Sequence, residues 1–208
     1  VEPTSGEFES AVGLRASRAA LRPVEAADLN YLHQLCVLEL AGTWRFATTL
    51  PVEGFESSLS RNVEAQFCIT SSRSQECVGI VQLFGVNLLH GYGFLAVALD
   101  PTVRGAAWPF QALALFLEHV FCHWPLRRVY IQCTADVAAT FSSAQGKLVT
   151  SHGKIRDGIP GQPDGRRDML LYSVERRSFV ERRAVFERVL GRPIDVPPEE
   201  KGREAWVT

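Results

Sequence analysis

Two neighbouring side chains, His90 and Tyr92, have the chemistry needed to move protons. An imidazole can accept a proton near neutral pH, and a phenol can donate one. They flank Gly91 between two apolar runs, so the alternative is a solvated turn histidine and a tyrosine that packs at a strand start. Asp136 follows an apolar run and precedes a weakly helical segment. It is expected either to cap that helix or to bind a substrate.

Three residues of one apolar helix, His119, Cys122 and His123, offer metal-ligand chemistry. Positions 119 and 123 share a helix face, which is the spacing of a metal-binding pair. No separate cluster supplies an obvious remaining ligand, so no metal is expected, and His123 is expected to meet the carbonyls at the helix end. Cys133 is a conceivable nucleophile, but a thiol within an apolar strand is usually inert.

The composition excludes several classes of protein. The chain has 208 residues, of which 46% are hydrophobic and 22% charged, as in a globular domain with a full core. A net charge of −1 provides no long-range field for nucleic acid or an anionic membrane. Neither a membrane span nor a secretory signal is expected. Five cysteines, an odd number mostly within apolar runs, indicate free thiols and a cytoplasmic location.

Hydrophobic periodicity predicts one mixed α/β domain over residues 18–178, after a flexible lead-in over 1–17 and before a C-terminal helix and proline-rich tail over 179–208. Helices are expected over 26–40, 51–62, 108–123, 135–148 and 178–190. Strands are expected over 19–24, 64–70, 77–89, 92–99, 127–133, 149–155 and 169–176. The strands around His90-Gly91 are expected to pair antiparallel, and the last two strands to form a hairpin.

A loop over 100–107 joins a predicted strand to the long apolar helix. The first N–H groups of a helix have no internal partners and lie at the positive end of the helix dipole, which favours a pyrophosphate ligand. Because Pro109 has no N–H, the expected backbone donors are those of Gly105, Ala106, Ala107 and Trp108. The alternative is a glycine turn ahead of a core helix.

The order of these elements, together with several short strings, resembles the GNAT superfamily of N-acetyltransferases, and within it the ribosomal-protein acetyltransferase branch. The strings are residues 21–29, 99–105, 127–131, 153–157 and 165–173. The resemblance covers about residues 19–180. It implies an α/β (α+β) fold with a mostly antiparallel central sheet flanked by helices. It also implies acetyl-CoA or another acyl-CoA as co-substrate, and an amine of a small molecule or a protein N-terminus as acceptor.

The resemblance also implies where the two substrates bind. The family's loop pattern falls on Arg104, Ala107 and Pro109, and only Arg104 matches it. The coenzyme-binding residues are then Leu99, Val103, Arg104, Gly105, Ala106, Ala107 and Trp108. The acceptor pocket is expected between the first two helices and the terminal hairpin. Its expected lining is Trp44, Arg45, Phe46 and Phe84, which core packing explains equally well.

Matches at the family's catalytic positions are poor. The acidic residue early in the central strand is replaced by Tyr92, and the asparagine after the next strand falls near Asp136. The tyrosine of the following helix aligns with Phe141, which cannot transfer a proton. Ser142, next to Ser143, lies where a hydroxyl could stabilise a leaving thiolate, although it is also explained as an exposed helical serine. The catalytic candidates are therefore His90, Tyr92, Asp136 and Ser142.

Two functions fit these observations. The first is acyl transfer from acyl-CoA to an amine. Because thioesters are reactive, positioning and carbonyl polarisation can suffice even with weak acid and base candidates. The second is a GNAT-like protein that takes its acyl group from an acyl carrier protein or acts as a non-catalytic binding module. A nucleic-acid partner is not expected, and a homodimer is an expectation of the resemblance alone.

Overall fold

The chain folds around a single mixed sheet. The computed structural model describes residues 14–39, 50–104, 106–140, 148–160 and 165–194. Within these residues, eight strands form one sheet in the order β1-β2-β3-β4-β5-β6-β8-β7. The strands are β1 (Leu14–Arg15), β2 (Ala19–Arg22), β3 (Val63–Ser71), β4 (Cys77–Asn87), β5 (Tyr92–Leu99), β6 (Arg128–Cys133), β7 (Thr150–Pro160) and β8 (Arg166–Glu175). Of the neighbouring pairs, β5 and β6 are parallel and the others antiparallel, which confirms the predicted sheet.

Helices cover both faces of this sheet. They are α1 (Leu29–His33), α2 (Val52–Leu59), α3 (Pro109–His123), α4 (Ala135–Thr140), α5 (Arg176–Glu181) and α6 (Arg183–Leu190). The long helix α3 begins with a proline, which suits the first helical position, and ends where Trp124 precedes Pro125. It is apolar on most sides because it lies between the sheet and the C-terminal helices α5 and α6.

The other face of the sheet is covered in part by α1 and α2, which form a second core cluster with Cys68, Ile80 and Ala98. The predicted helix over 26–40 is present but changes geometry along its length. It runs from a 3₁₀ turn (Ala26–Asp28) through α1 to a π-helical turn (Gln34–Glu39). Residues 35–37 are all buried in the second core cluster.

Several element boundaries differ from the predicted ones. Among the described residues, strand pairing already includes β1, inside the segment expected to be a lead-in, because residues 14 and 15 pair with β2. The predicted helix over 178–190 begins at residue 176 and is interrupted at Arg182, whose backbone leaves the helical region. Of the helix predicted over 135–148, residues 135–140 are helical, and residues 141–147 lie outside the described ranges. The terminal hairpin is longer than predicted, since exposed charged residues on β7 conceal its strand pattern.

Two expectations drawn from the sequence concern the chain as a whole. Among the described helices, none combines the length and the apolar character needed to cross a membrane. All five cysteines lie in described ranges, and none forms a disulfide, as predicted. Cys36, Cys68 and Cys133 are buried, and Cys77 and Cys122 are partly buried.

Candidate active site

The central feature of the candidate site is an opening between β5 and β6. The two strands pair only from Tyr92–Leu95 with Arg128–Ile131. Beyond that point β6 continues with β8 as far as Cys133, while β5 stays with β4 as far as Leu99. Because each strand follows a different neighbour, they diverge, and the last four residues of β5 face the opening without a partner on β6.

The strand register shows which backbone groups face this opening. In an antiparallel ladder, hydrogen-bonded and non-bonded pairs alternate. The N–H of Asp100 donates to the carbonyl of Val78 at 2.9 Å, so Ala98 and Ala96 also direct their backbone groups toward β4. Val97 and Leu99 therefore direct theirs toward β6, into the opening. Consistent with this, the Leu99 carbonyl accepts a hydrogen bond from Arg104 Nε at 3.0 Å.

The loop between β5 and α3 is built on Asp100. Its carboxylate accepts the N–H of Thr102 at 2.8 Å, which caps a 3₁₀ turn over Pro101–Val103. The N–H of Ala106 then donates to the Val103 carbonyl at 3.2 Å, so this predicted phosphate donor is already used within the loop. None of the described residues accepts a hydrogen bond from the N–H of Ala107 or Trp108. Both N–H groups therefore stay available to a ligand at the start of α3.

Asp100 also ties this loop to α1. The hydroxyl of Tyr31 donates to Asp100 Oδ2 at 2.9 Å, and a small cleft lined by both residues and Gln34 lies beside this contact. Hydrogen bonds from Thr102 lower the pKa of Asp100. Burial raises the pKa of Tyr31, and the hydrogen bond to Asp100 adds to this effect. Tyr31 therefore stays protonated and positions the loop.

Four aromatic side chains line the sheet face next to the opening, and we call them the aromatic face: Phe84, Tyr92, Phe94 and Tyr130. They share a face because alternate strand residues point to the same side and Phe94 is in register with both Phe84 and Tyr130. Phe94 lies 5.6 Å from each of these two rings, measured between centroids. All four are partly buried. This face can hold an organic acceptor that is partly apolar.

A histidine that sequence analysis did not single out lies at the edge of this face. His152 on β7 is exposed, and its Nε2 lies 2.8 Å from the hydroxyl oxygen of Ser173. Ser173 on β8 is fully buried, so its hydroxyl fixes the orientation of the imidazole. The His152 ring lies 5.5 Å from Tyr130. The arrangement places a proton acceptor beside the aromatic face.

Comparison with known proteins identifies the fold. No family profile and no curated protein matches the sequence. A spermidine N-acetyltransferase from Vibrio cholerae in complex with CoA and spermine has a TM-score of 0.68 at 16% identity over 79% of this chain and 99% of that one. The ribosomal L7/L12 alpha-N-protein acetyltransferase RimL in complex with CoA has a TM-score of 0.65 at 16% identity over 78% and 97%. A probable GNAT-family acetyltransferase from Chromobacterium violaceum scores 0.63 at 16% identity over 86% and 98%.

The chain has the GNAT fold. This confirms the fold class predicted from the sequence, while the ribosomal-protein branch stays a prediction. In the GNAT fold of this chain, the opening, the loop and the aromatic face are adjacent because all three depend on β5. Phe84 and Tyr92, predicted from the sequence, belong to the aromatic face. Val97, Tyr130, His152 and Ser173 were missed.

The other predicted catalytic residues occupy the margins of the site. His90 is exposed in the β4–β5 turn, where its N–H donates to Asn87 Oδ1 at 2.9 Å and its ring stacks on Tyr92 at 6.3 Å. Asp136 is exposed beyond the end of β6, and Arg167 lies 3.9 Å away. A hydrogen bond from Thr134 lowers the pKa of Asp136. Asp136 is the second residue of α4, so the predicted N-cap role is wrong.

Several predicted site residues lie outside the described ranges, so their roles stay predictions. They are Trp44, Arg45, Phe46, Gly105, Phe141, Ser142 and Ser143. Of the predicted coenzyme-binding residues, Leu99, Val103, Arg104, Ala107 and Trp108 do lie along the opening and its loop.

The histidines of α3 are placed as the helix-end interpretation predicts. His123 Nδ1 lies 2.8 Å from the His119 carbonyl, and the two rings are 4.2 Å apart. Burial lowers the pKa of His119 to about 4, and the neighbouring His123 contributes to this shift. His119 is therefore neutral at physiological pH and packs edge-on against Phe67.

Proposed function

We propose that this protein is an N-acyltransferase that moves an acetyl or other acyl group from acyl-CoA to a small, partly apolar amine. The observation that carries this proposal is the opening between β5 and β6 beside the start of α3. The Val97 backbone groups and the Leu99 N–H can hydrogen-bond an extended pantetheine arm, as an added strand would. The N–H groups of Ala107 and Trp108 can bind the pyrophosphate.

The proposed reaction needs few side chains. The amine nitrogen attacks the thioester carbonyl, a C–N bond forms, and the C–S bond breaks to release the CoA thiolate. The Val97 N–H is the strand donor placed to stabilise the negative charge that develops on the carbonyl oxygen. His152, oriented by Ser173, accepts the proton that the amine loses. Holding the two substrates next to each other on β5 lowers the activation free energy further.

Acetyl-CoA is expected to raise the melting temperature of the protein. A ligand present at 100 times its Kd and bound only by the folded state adds about 2.7 kcal/mol. In a chain of this size that corresponds to a rise of about 5–10 °C. Differential scanning fluorimetry with acetyl-CoA, free CoA and ATP measures the effect and its selectivity, since ATP controls for nonspecific anion binding.

Ala107→Glu is the variant that tests the loop, because it adds a negative charge at the proposed phosphate donors. It is expected to abolish the rise in melting temperature. Ile155→Glu is the matched control, since Ile155 is exposed on β7, three strands from β5, and should keep the rise. No rise with any acyl-CoA in the unmodified protein would contradict the CoA-dependent reaction and favour a carrier-protein donor or a binding module.

The acceptor is expected to be an apolar monoamine rather than a polyamine. The aromatic face is bordered by Arg128, whose guanidinium carbon lies 6.0 Å from the Tyr130 ring and which pairs with Glu175 at 3.5 Å. Stacking on aromatic rings favours an aromatic amine by about 1 kcal/mol. The Glu175 carboxylate at this border is already paired with Arg128, so it adds little attraction for a ligand with several positive charges. We therefore expect kcat/KM for 2-phenylethylamine to exceed that for spermidine by about fivefold or more.

Phe94→Ala should remove much of this preference, because Phe94 contacts three of the other rings at the site. The measurement is acyl transfer to both amines under identical conditions. A higher kcat/KM for spermidine in the unmodified protein would overturn the assignment of the acceptor class and leave the CoA result unaffected.

A further inference from the structure

A second group of chemically reactive side chains lies on β3, on β4 and in the turn before α1, away from the opening between β5 and β6. It consists of Asp28, Cys68 and Cys77, and one ligand atom from each lies within 4.8 Å of the other two. Asp28 ends the 3₁₀ turn before α1, Cys68 lies on β3, and Cys77 is the first residue of β4. The proposed acyl transfer uses none of these residues.

A β-bulge brings the two thiols together. Ile69 pairs with Gly79, but Thr70 pairs with Cys77, so Val78 is an extra residue on β4. In an unbroken ladder Cys77 would lie opposite Ser71 and point to the face that α3 covers, because a shift of one residue reverses the side. The bulge turns Cys77 to the face of Cys68, as bulges commonly do where a side chain must be re-aimed.

The cluster is partly closed and carries its own counter-charge. Cys68 is fully buried, Asp28 is 7% exposed, and Cys77 is partly buried, which leaves an approach from solvent. Arg22 binds both Asp28 oxygens at 2.7 and 2.8 Å. Cys68 Sγ donates to Asp28 Oδ2 at 3.3 Å, and Cys77 Sγ donates to the Gly79 carbonyl at 3.1 Å.

We propose that Cys68, Cys77 and Asp28 bind a thiophilic divalent cation of the Zn²⁺ type. Three atoms no more than 4.8 Å apart have a common centre within about 2.8 Å of each. Inward shifts of about 0.5 Å for the sulfurs and about 0.7 Å for the oxygen give ordinary Zn–S and Zn–O distances. Two thiolates and a carboxylate are a donor set that Zn²⁺ accepts, with water from the Cys77 side as fourth ligand.

Proton and charge balance support a divalent ion. Binding releases the two thiol protons to solvent. Loss of the Cys68 proton removes one of the three hydrogen bonds that Asp28 Oδ2 accepts, the others coming from Arg22 Nη1 and the Glu25 N–H. The bound cluster then holds two thiolates, one carboxylate, the Arg22 guanidinium and a 2+ ion, so its net charge is zero. Arg22 stays on Asp28 as an outer partner that orients the carboxylate, which metal sites commonly require.

The test is a Co²⁺ titration of the full chain after chelator treatment, with a phosphine reductant to keep the thiols reduced. We expect one Co²⁺ per chain, with a sulfur-to-cobalt charge-transfer band that Zn²⁺ displaces. Cys77→Ser and Cys68→Ser should each weaken binding about 100-fold or more. Cys122→Ser is the matched control, a partly buried cysteine on α3, and should bind as the unmodified protein does.

If the variant at the buried Cys68 fails to fold, the Cys77 variant still tests the proposal. Cys77 is partly exposed, so its replacement disturbs the core less, and the melting temperature shows whether the variant is folded. Absence of the charge-transfer band, or an unchanged band in Cys77→Ser, would overturn the proposal. So would a reduced protein that binds no Co²⁺ but forms a Cys68–Cys77 disulfide with peroxide, since the pair would then be a redox dithiol. All three readouts are independent of acyltransferase activity.

Discussion

Replacing His152 with alanine is expected to lower kcat for amine acylation about 100-fold. The imidazole lies 2.8 Å from the buried Ser173 hydroxyl and beside Tyr130, where the acceptor nitrogen is proposed to lie. Without it, the attacking amine must lose its proton to water. The measurement is the steady-state rate with 2-phenylethylamine and saturating acetyl-CoA. The rise in melting temperature with acetyl-CoA should be unchanged, because His152 is not one of the proposed coenzyme-binding residues.

Two further experiments separate a base from a merely structural histidine. Added imidazole should restore part of the rate of His152→Ala, which repacking alone cannot explain. Ser173→Ala tests the positioning residue and should lower kcat less than His152→Ala, with little change in KM. His90→Ala is the comparison variant, since His90 is also exposed beside the aromatic face. A larger loss in His90→Ala than in His152→Ala would return the base role to His90.

The elements around the site could be predicted because their local patterns are strong. β5 has the bounds that its apolar run predicted, and α3 ends at the expected residue, where a following proline stops the helix. The position of the loop between them follows from these two elements. The sequence thus located the strand, the loop and the helix that a coenzyme would need.

The residues that complete the site depend on pairing between distant strands, which local patterns do not encode. The direction of the Val97 backbone groups follows from the strand register, which the hydrogen bond between Asp100 and Val78 fixes. That register exists only in the folded sheet. His152 and Ser173 are 21 positions apart and meet across β7 and β8. Most β7 side chains are exposed, so no apolar alternation marked His152 as facing the site.

For the C-terminal helices, in contrast, the sequence carries a local apolar pattern that predicts burial. Charged side chains are frequent over residues 178–190 and mask the apolar pattern of these helices. Yet Phe179, Phe186 and Leu190 recur at spacings of seven and four, and all three belong to the main core beneath α3. The following Ile194 joins the same cluster, so this segment contributes to the stability of the sheet and α3.

Arg192→Ala is expected to destabilise the protein by about 2–3 kcal/mol and to lower its melting temperature by about 4–12 °C. Arg192 follows α6 and binds both oxygens of Glu118 on α3, at 2.6 and 2.9 Å. The Glu118 side chain is 8% exposed, so the change leaves a carboxylate in the core without this guanidinium. Because Arg192 is itself 39% exposed, we place the loss below the full value for a buried pair. Urea denaturation measures it.

Two comparison variants show whether the two-point contact between Arg192 and Glu118 stabilises the protein specifically or whether any ion pair has the same effect. Arg192→Lys keeps the positive charge but cannot bind both oxygens in a plane, so it should recover only part of the lost stability. Lys154→Ala removes a pair of similar length, 2.7 Å from Asp168, in which both side chains are exposed, and should cost less than about 1 kcal/mol. Equal losses of stability in Arg192→Ala and Lys154→Ala would contradict a specific role for the contact between Arg192 and Glu118. Arg192→Ala should still bind acetyl-CoA normally under conditions in which it is folded. The proposed phosphate site is at the start of α3, whereas Glu118 lies in the second half of that helix.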